Sequence, residues 1–278
     1  MTAEDSATGP LNGRGRSWSA IIPQRFFRTW ELLYLLTARE LKLRYQDTIL
    51  GFVWSVLKPL MLGLVLYVIF SHVARIATNG MPLQLVILPA LFAWTWFSSS
   101  MIMSAPAIAN NGNLIKKVHF PRYVLPFSTI ANNMVHFLLT IPIIMIFVLA
   151  TGRHPNYTWL IGIPILTVLE LLLLMGAVLF VSAVDVYFRD LEHLLEVFLN
   201  FAFYATPIIY QLSNLGKYQN LALINPMASL IEAWRNLLVL NQLPSLLDIW
   251  PCLAGTVAAV LIGSFVFGRL EKGFADAV

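Results

Sequence analysis

Charge is what this sequence has least of. Of its 278 residues only 12% are charged, against 58% hydrophobic, and the mean hydropathy is +0.74. Soluble domains carry about a quarter charged residues, and so few here could not cover a water-facing surface. That excludes a soluble globular protein. Cysteine is nearly absent too. Cys252 stands alone, which excludes an internal disulfide or a cysteine-based metal cluster and leaves a small apolar residue in a hydrophobic stretch. No Gly-x-x-x-x-Gly-Lys-Ser/Thr segment occurs, so no phosphate cradle of that kind is encoded. There is no Asp-x-Asp pair and no Ser/His/Asp grouping of a nucleophile. The five histidines are scattered, and His193 with Glu192 and Glu196 lacks a second ligand set, so no metal is expected. Residues 1–17 are polar, without the apolar core of a cleavable signal peptide; residues 1–22 read as a disordered cytoplasmic tail.

What the chain does have is long uncharged runs. Residues 76–115 hold no Asp, Glu, Lys or Arg over 40 positions; 123–152, 197–216 and 249–268 hold none, and 154–184 holds only Glu170. About 20 apolar residues in a helix cross a bilayer core. The expected spans are 51–73, 83–109, 124–150, 159–184, 194–211 and 248–267. Fourteen of the 18 Lys and Arg fall on one side of that topology, which places both termini in the cytoplasm by the positive-inside rule. The same rule accounts for the net charge of +4 without nucleic acid.

Two regions do not fit a span. Residues 23–48 are helical in character, with Arg28, Glu31, Leu35, Arg39 and Lys42 on a mostly polar stripe and Phe26, Trp30, Leu33 and Leu41 opposite. Such a helix lies along the inner membrane surface, as an anchor or as a platform for a partner. Residues 213–247 contain two apolar stretches, 221–230 and 233–243, too short to span and punctuated by Asn225-Pro226 and Leu243-Pro244. They read as two short helices re-entering the outer leaflet. The expected fold class is all-α: a polytopic membrane protein of six transmembrane helices over 49–278, an N-terminal amphipathic interface helix over 23–48, and short re-entrant helices before the last span.

Glu170 is the one formal charge deep in an expected span. A carboxylate there costs about 2.5–3.5 kcal/mol on insertion scales, so it makes a polar contact in a pathway, serves as a proton-coupling site, or makes an interhelical hydrogen bond as a neutral acid. Most aromatics suit an interfacial belt; Tyr67, Phe198 and Tyr204 are the candidates for lining a pathway. The segment Asn113-Leu114-Ile115-Lys116-Lys117, followed by Phe120-Pro121-Arg122, reads as a short helix with a basic side, held between two spans.

Ala38–Trp54 with Lys58-Pro59-Leu60, the Asn113–Arg122 segment with Leu125-Pro126, Phe188–His193, Pro207–Tyr210, Asn225-Pro226 and the close at Glu271–Val278 together resemble polysaccharide-exporting ABC transporter permeases of the O-antigen, teichoic acid and galactan type. The fragments are ordered and run from about Trp30 to the C-terminus. The resemblance implies an ATPase-coupling surface at Arg39, Lys42 and Arg44 and at Asn113, Leu114, Ile115, Lys116, Lys117, Phe120, Pro121 and Arg122. It implies a non-enzymatic permease in the plasma (inner) membrane, working as two copies with a separate ABC-type ATPase that carries ATP and Mg, and moving a lipid-linked glycan across the bilayer. An exporter of a small amphiphile would share this topology. A membrane-embedded glycosyl- or acyltransferase would need the acid/base residues that the chain lacks.

Overall fold

The computed structural model describes residues 18–46, 53–73, 78 and 80–277, with side chains from Thr29 onward except Tyr45. The tail reading for 1–17 and the junction at 47–52 lie outside the described residues. Eleven α-helices are described: α1 Trp18–Tyr45, α2 Val53–Val68, α3 Leu83–Ser104, α4 Gly112–Lys117, α5 Val124–Ala150, α6 Thr158–Asp185, α7 Leu191–Ala205, α8 Gln219–Ala222, α9 Pro226–Leu240, α10 Leu246–Leu270 and α11 Phe274–Ala277. No strand occurs among the described residues. In hydrocarbon every peptide group must be paired within its own segment, which is why uncharged runs become helices. Pro59, Pro89, Pro142, Pro164 and Pro251 sit inside the long helices, as membrane helices tolerate.

Five segments are long and apolar enough to cross a bilayer: Val53–Val73, Leu83–Ala107, Val124–Ala150, Thr158–Asp185 and Leu246–Ala277. The chain is a multi-pass, all-α membrane protein. Helix α3 is the central post, packed on α2, α5, α6, α7 and α9, whereas α2 stands at the edge with half of its residues exposed. The tightest pair is α6 with α10. A Cβ on Gly176 would stand 2.4 Å from the Ala259 carbonyl carbon, and one on Gly263 would stand 2.0 Å from the Gly176 carbonyl oxygen. Small residues let two membrane helices bring their backbones together.

The expected fifth span takes a different form. Helix α7 has 15 residues, about 22 Å, and stops at Thr206, which is extended. Pro207 cannot donate the next helical hydrogen bond. The carbonyls released at this break are taken by Arg235 of α9, whose Nη2 donates to Pro207 O at 2.8 Å and Ile208 O at 3.4 Å. Its Nε reaches Val86 O of α3 at 3.1 Å, and Nη1 pairs with Glu232 at 2.5 Å. Beyond the break Gln211 donates to the Met81 sulfur at 3.3 Å, just before α3. Residues 191–211 thus travel from one end of the bundle to the other, partly as helix and partly extended.

Arg235 is fully buried and carries three backbone carbonyls as well as its carboxylate. Removing one partner of a buried pair costs about 3–5 kcal/mol. Arg235→Met is expected to destabilise the purified protein by that amount, read as a lower denaturation midpoint in detergent. An unchanged midpoint would remove Arg235 from this anchoring role.

The expected pair of short helices at 221–230 and 233–243 is corrected. One turn, α8, precedes a single uninterrupted helix, α9. The reason is local. Asn225 caps α9 by accepting from Met227 N at 3.0 Å with Pro226 at its first turn, and nothing between 230 and 233 breaks a helix. It ends where Asn241 turns left-handed (φ 56°, ψ 30°). Pro226 occupies the space a Cβ on Gly255 would need, nine residues inside α10, while Asn241 bonds the 154–156 loop. Helix α9 therefore runs from the middle of the bundle to its end, as a re-entrant half-helix does.

Helix α1 also departs from its expected form. It begins at Trp18, five residues ahead of the expected Pro23 start, so 18–22 are helical where a tail was expected. Its last turns run parallel to α5, Glu40 meeting Ser128 and Arg44 meeting Asn132 and Asn133. Asn132 lies eight residues along α5, so α1 climbs the bundle there instead of lying beside it. Polar partners on α5 make that climb favourable for a charged helix.

Candidate functional site

Helices α1, α4 and α11 meet at one end of the bundle, called here the basic end. Leu36 of α1, Ile115 of α4, Val124 and Leu125 of α5, Ala183 of α6, Phe267 of α10 and Phe274 of α11 form one buried apolar cluster. Ile115 is the inward residue of the short α4; Asn113, Lys116 and Lys117 are exposed around it, with Leu114, Phe120 and Pro121 half-buried. The sequence-predicted basic segment is thus a surface whose apolar root sits in the core shared by three long helices. Arg39 and Lys42 are exposed on α1.

Two of the predicted surface residues are tied to neighbouring segments. Arg122 donates to the Glu271 carbonyl and lies 6.0 Å from the Phe274 ring centroid, clamping the C-terminal segment. Tyr187 adds a hydroxyl bond to Leu270 O at 3.0 Å. Arg44, exposed near the end of α1, donates Nη1 to Asn133 at 3.0 Å and Asn132 at 3.3 Å on α5. Between the 118–122 loop and Ala275 lies a shallow groove of about 350 Å³, lined by Ile115, Lys116, Val118, His119, Phe120 and Arg122. Burial raises the Glu40 carboxyl above its ordinary range, against the pull of the Ser128 hydroxyl, Arg39 and Arg44.

The predicted pathway residues do not come together. Tyr67 is half-buried against the core on α2, while Phe198 (65% exposed) and Tyr204 (68% exposed) point outward from α7. Glu170 is fully buried, and its Oε2 accepts from Trp234 Nε1 of α9 at 2.9 Å. That is the interhelical hydrogen bond weighed for it. Glu170→Gln, which keeps an acceptor for Trp234, is expected to leave transport unchanged; loss of transport with the protein still folded would return Glu170 to the pathway.

A larger groove, about 440 Å³, opens between α2, α3 and α5. Periodic positions of three helices line it: Trp54, Ser55, Lys58 and Pro59 of α2; Phe92, Thr95, Trp96 and Ser99 of α3; Asn133, His136, Phe137 and Thr140 of α5, with Arg44 at one end. Trp96 stacks on Phe137 at 4.8 Å, and Phe137 meets Trp234 edge-on at 5.2 Å, so the back wall leads to Glu170. Sequence reasoning missed this groove. The signal was there: Asn132, Asn133, His136 and Thr140 recur every three to four residues within an uncharged run, and polar side chains inside a membrane helix mark function by default.

A family model described as an ABC-2 type transporter matches residues 31–239. The chain is 34% identical over 248 residues to an O-antigen export system permease protein RfbA of Klebsiella pneumoniae, covering 89% of this chain and 95% of that protein. It is 32% identical to the protein of the same name in Myxococcus xanthus, over 89% of this chain and 95% of that one. A polysialic acid transport protein KpsM of Escherichia coli is 26% identical over 74% of this chain and 80% of its own length.

Proposed function

This chain belongs to the ABC-2 type transporter family, and from that premise we propose that it is the membrane permease of an ATP-driven exporter of lipid-linked polysaccharide. The named relatives supply the substrate class. The chain is a transporter membrane subunit, not an enzyme; a separate ABC-type ATPase carries ATP and Mg, and a second copy of this chain completes the pore. The basic end faces the cytoplasm with both termini, in the plasma (inner) membrane. The chain crosses six times, the fifth crossing combining α7 with 206–211.

One observation carries the coupling: the apolar cluster that roots α4 among α5, α6 and α10. Packed cores transmit displacement because they are nearly incompressible, so a push on Asn113, Lys116 and Lys117 moves three spans together. Arg39 and Lys42 extend the same surface along α1, and the groove beside Phe120 accepts an apolar side chain of the ATPase. Pull-down of the tagged chain from its native host tests this reading. An ATPase in equal amount, with glycan accumulating inside cells on depletion, is expected; recovery of the chain alone, without ATPase activity, would overturn it.

A further inference from the structure

The groove at the basic end has two walls, and only one of them belongs to the segment around α4. Ile115, Lys116, Val118, His119, Phe120 and Arg122 line one side, and Ala275 of α11 lines the other. Helix α11 has four residues, and isolated helices shorter than about 12–15 residues are marginal in water. Tertiary ties must therefore hold it at the groove, and they come from three separate parts of the chain. Phe274 is fully buried, edge-on to Phe267 of α10 at 5.5 Å and tilted against Tyr187 at 6.3 Å. The last carbonyls of a helix have no partner within it. At the end of α10 two side chains take them: the Tyr187 hydroxyl donates to Leu270 O at 3.0 Å, and Arg122 donates to Glu271 O. A guanidinium there also meets the negative end of the helix dipole. Gly273 fits this clamp, because a Cβ on it would stand 2.4 Å from the Tyr187 hydroxyl oxygen. Phe274 alone would anchor the segment; the two donors also fix the direction in which it leaves α10, and so where Ala275 stands.

We propose that α11 is a second docking element for the ATPase, closing the groove on an apolar side chain of that subunit, with Tyr187 and Arg122 as the residues that position it. The proposal rests on the export reading above. Two features identify the occupant. The groove adjoins the exposed Lys116 and Lys117 of α4, so a partner seated on α4 also reaches α11. Lys116, His119 and Arg122 line it and no carboxylate among the described residues does, so the matching apolar side chain comes flanked by Asp or Glu. The route inward differs from that of α4. Helix α11 follows α10 through one short turn, and α10 meets α6 backbone to backbone at Gly176 and Gly263. A push on Ala275 therefore reaches the α6/α10 pair without passing through α5.

The test uses the full chain, expressed with its ATPase in the native host. The photo-crosslinking residue p-benzoylphenylalanine replaces the exposed Asp276 or, as a reference, the exposed Lys117. Irradiation is expected to join permease and ATPase covalently from both positions, and not from Leu261, exposed midway along α10. An adduct from 117 but none from 276 would overturn the docking role of α11 and leave the export reading standing. No adduct from either position overturns the proposal as well, and where no ATPase co-purifies the export reading falls with it. Tyr187→Phe tests the positioning. It keeps the ring against Phe274 and removes only the hydroxyl, and at 50% exposure folding tolerates that loss. One hydrogen bond is worth about fivefold in an equilibrium, so this variant is expected to bind the purified ATPase about fivefold more weakly, with recovery of monodisperse protein unchanged. Wild-type affinity in Tyr187→Phe would remove Tyr187 from the positioning role.

Discussion

Reversing both lysines of α4, in K116E/K117E, is expected to reduce glycan export to background while the protein still inserts and accumulates. Both side chains are exposed at the basic end, and neither belongs to the cluster that holds α4 in place; that role falls to Ile115. The fold should therefore tolerate the change. A partner surface matched to two positive charges would instead meet two negative ones, and like-charge contacts cost several kcal/mol. At 1.4 kcal/mol per factor of ten, association weakens at least about 100-fold. The ATPase would then co-purify poorly yet keep its own basal turnover, because its catalytic groups lie on another chain. Lys217→Glu, at the other end of the bundle, provides the control and should export normally. Wild-type export by K116E/K117E would remove α4 from the coupling surface.

Replacing Gly263 by Leu should prevent assembly of a stable bundle. Even one Cβ would sit 2.0 Å from the carbonyl oxygen of Gly176, and the neighbour is backbone, which cannot rotate aside. Helices α6 and α10 would have to separate, and both carry the core: Leu166, Leu173 and Leu174 on α6, Ile249 and Cys252 on α10. Overpacking by extra methylenes costs about 1–3 kcal/mol when side chains can adjust; with backbone opposed, at least about 3 kcal/mol is expected. The measurement is the amount of monodisperse protein recovered after detergent extraction. Gly268→Ala, whose Cβ would meet nothing within 4 Å, should behave as wild type. Normal recovery of Gly263→Leu would mean that the two helices do not touch at this point.

Both variants test places where the sequence was legible to different degrees. The basic segment at 113–122 could be read as a short helix between spans because turn residues, apolar positions and lysines follow one another locally. Ile115 as its root could not, since Leu36, Phe267 and Phe274 are distant in the chain. Arg122 and Arg44 illustrate the same limit. Each reads as a free surface charge by composition, and each is tied down once a carbonyl or an amide pair comes within reach. Arg235 falls in a stretch expected to re-enter the outer leaflet; only the break at Pro207, brought beside it by α9, explains why a guanidinium is buried there. Glu170 could be singled out by its isolation but not resolved, because its partner Trp234 is 64 residues away.

The sequence alone determined the class: an all-helical membrane chain with a basic end, its long helices placed close to where they fold, and a set of ordered fragments that fixes the family. These are local properties. Hydropathy over some 20 residues decides whether a helix can enter hydrocarbon, and Lys and Arg in short loops decide its orientation. The tertiary structure decided what the polar residues do: that α1 climbs α5, that one half-helix replaces two short ones, that the fifth segment breaks at Thr206, and that Arg44, Lys58 and the α5 amides share a groove. Those outcomes depend on which helix faces meet. A buried donor or charge takes whichever acceptor packing brings to it, and packing joins residues that the chain order keeps far apart.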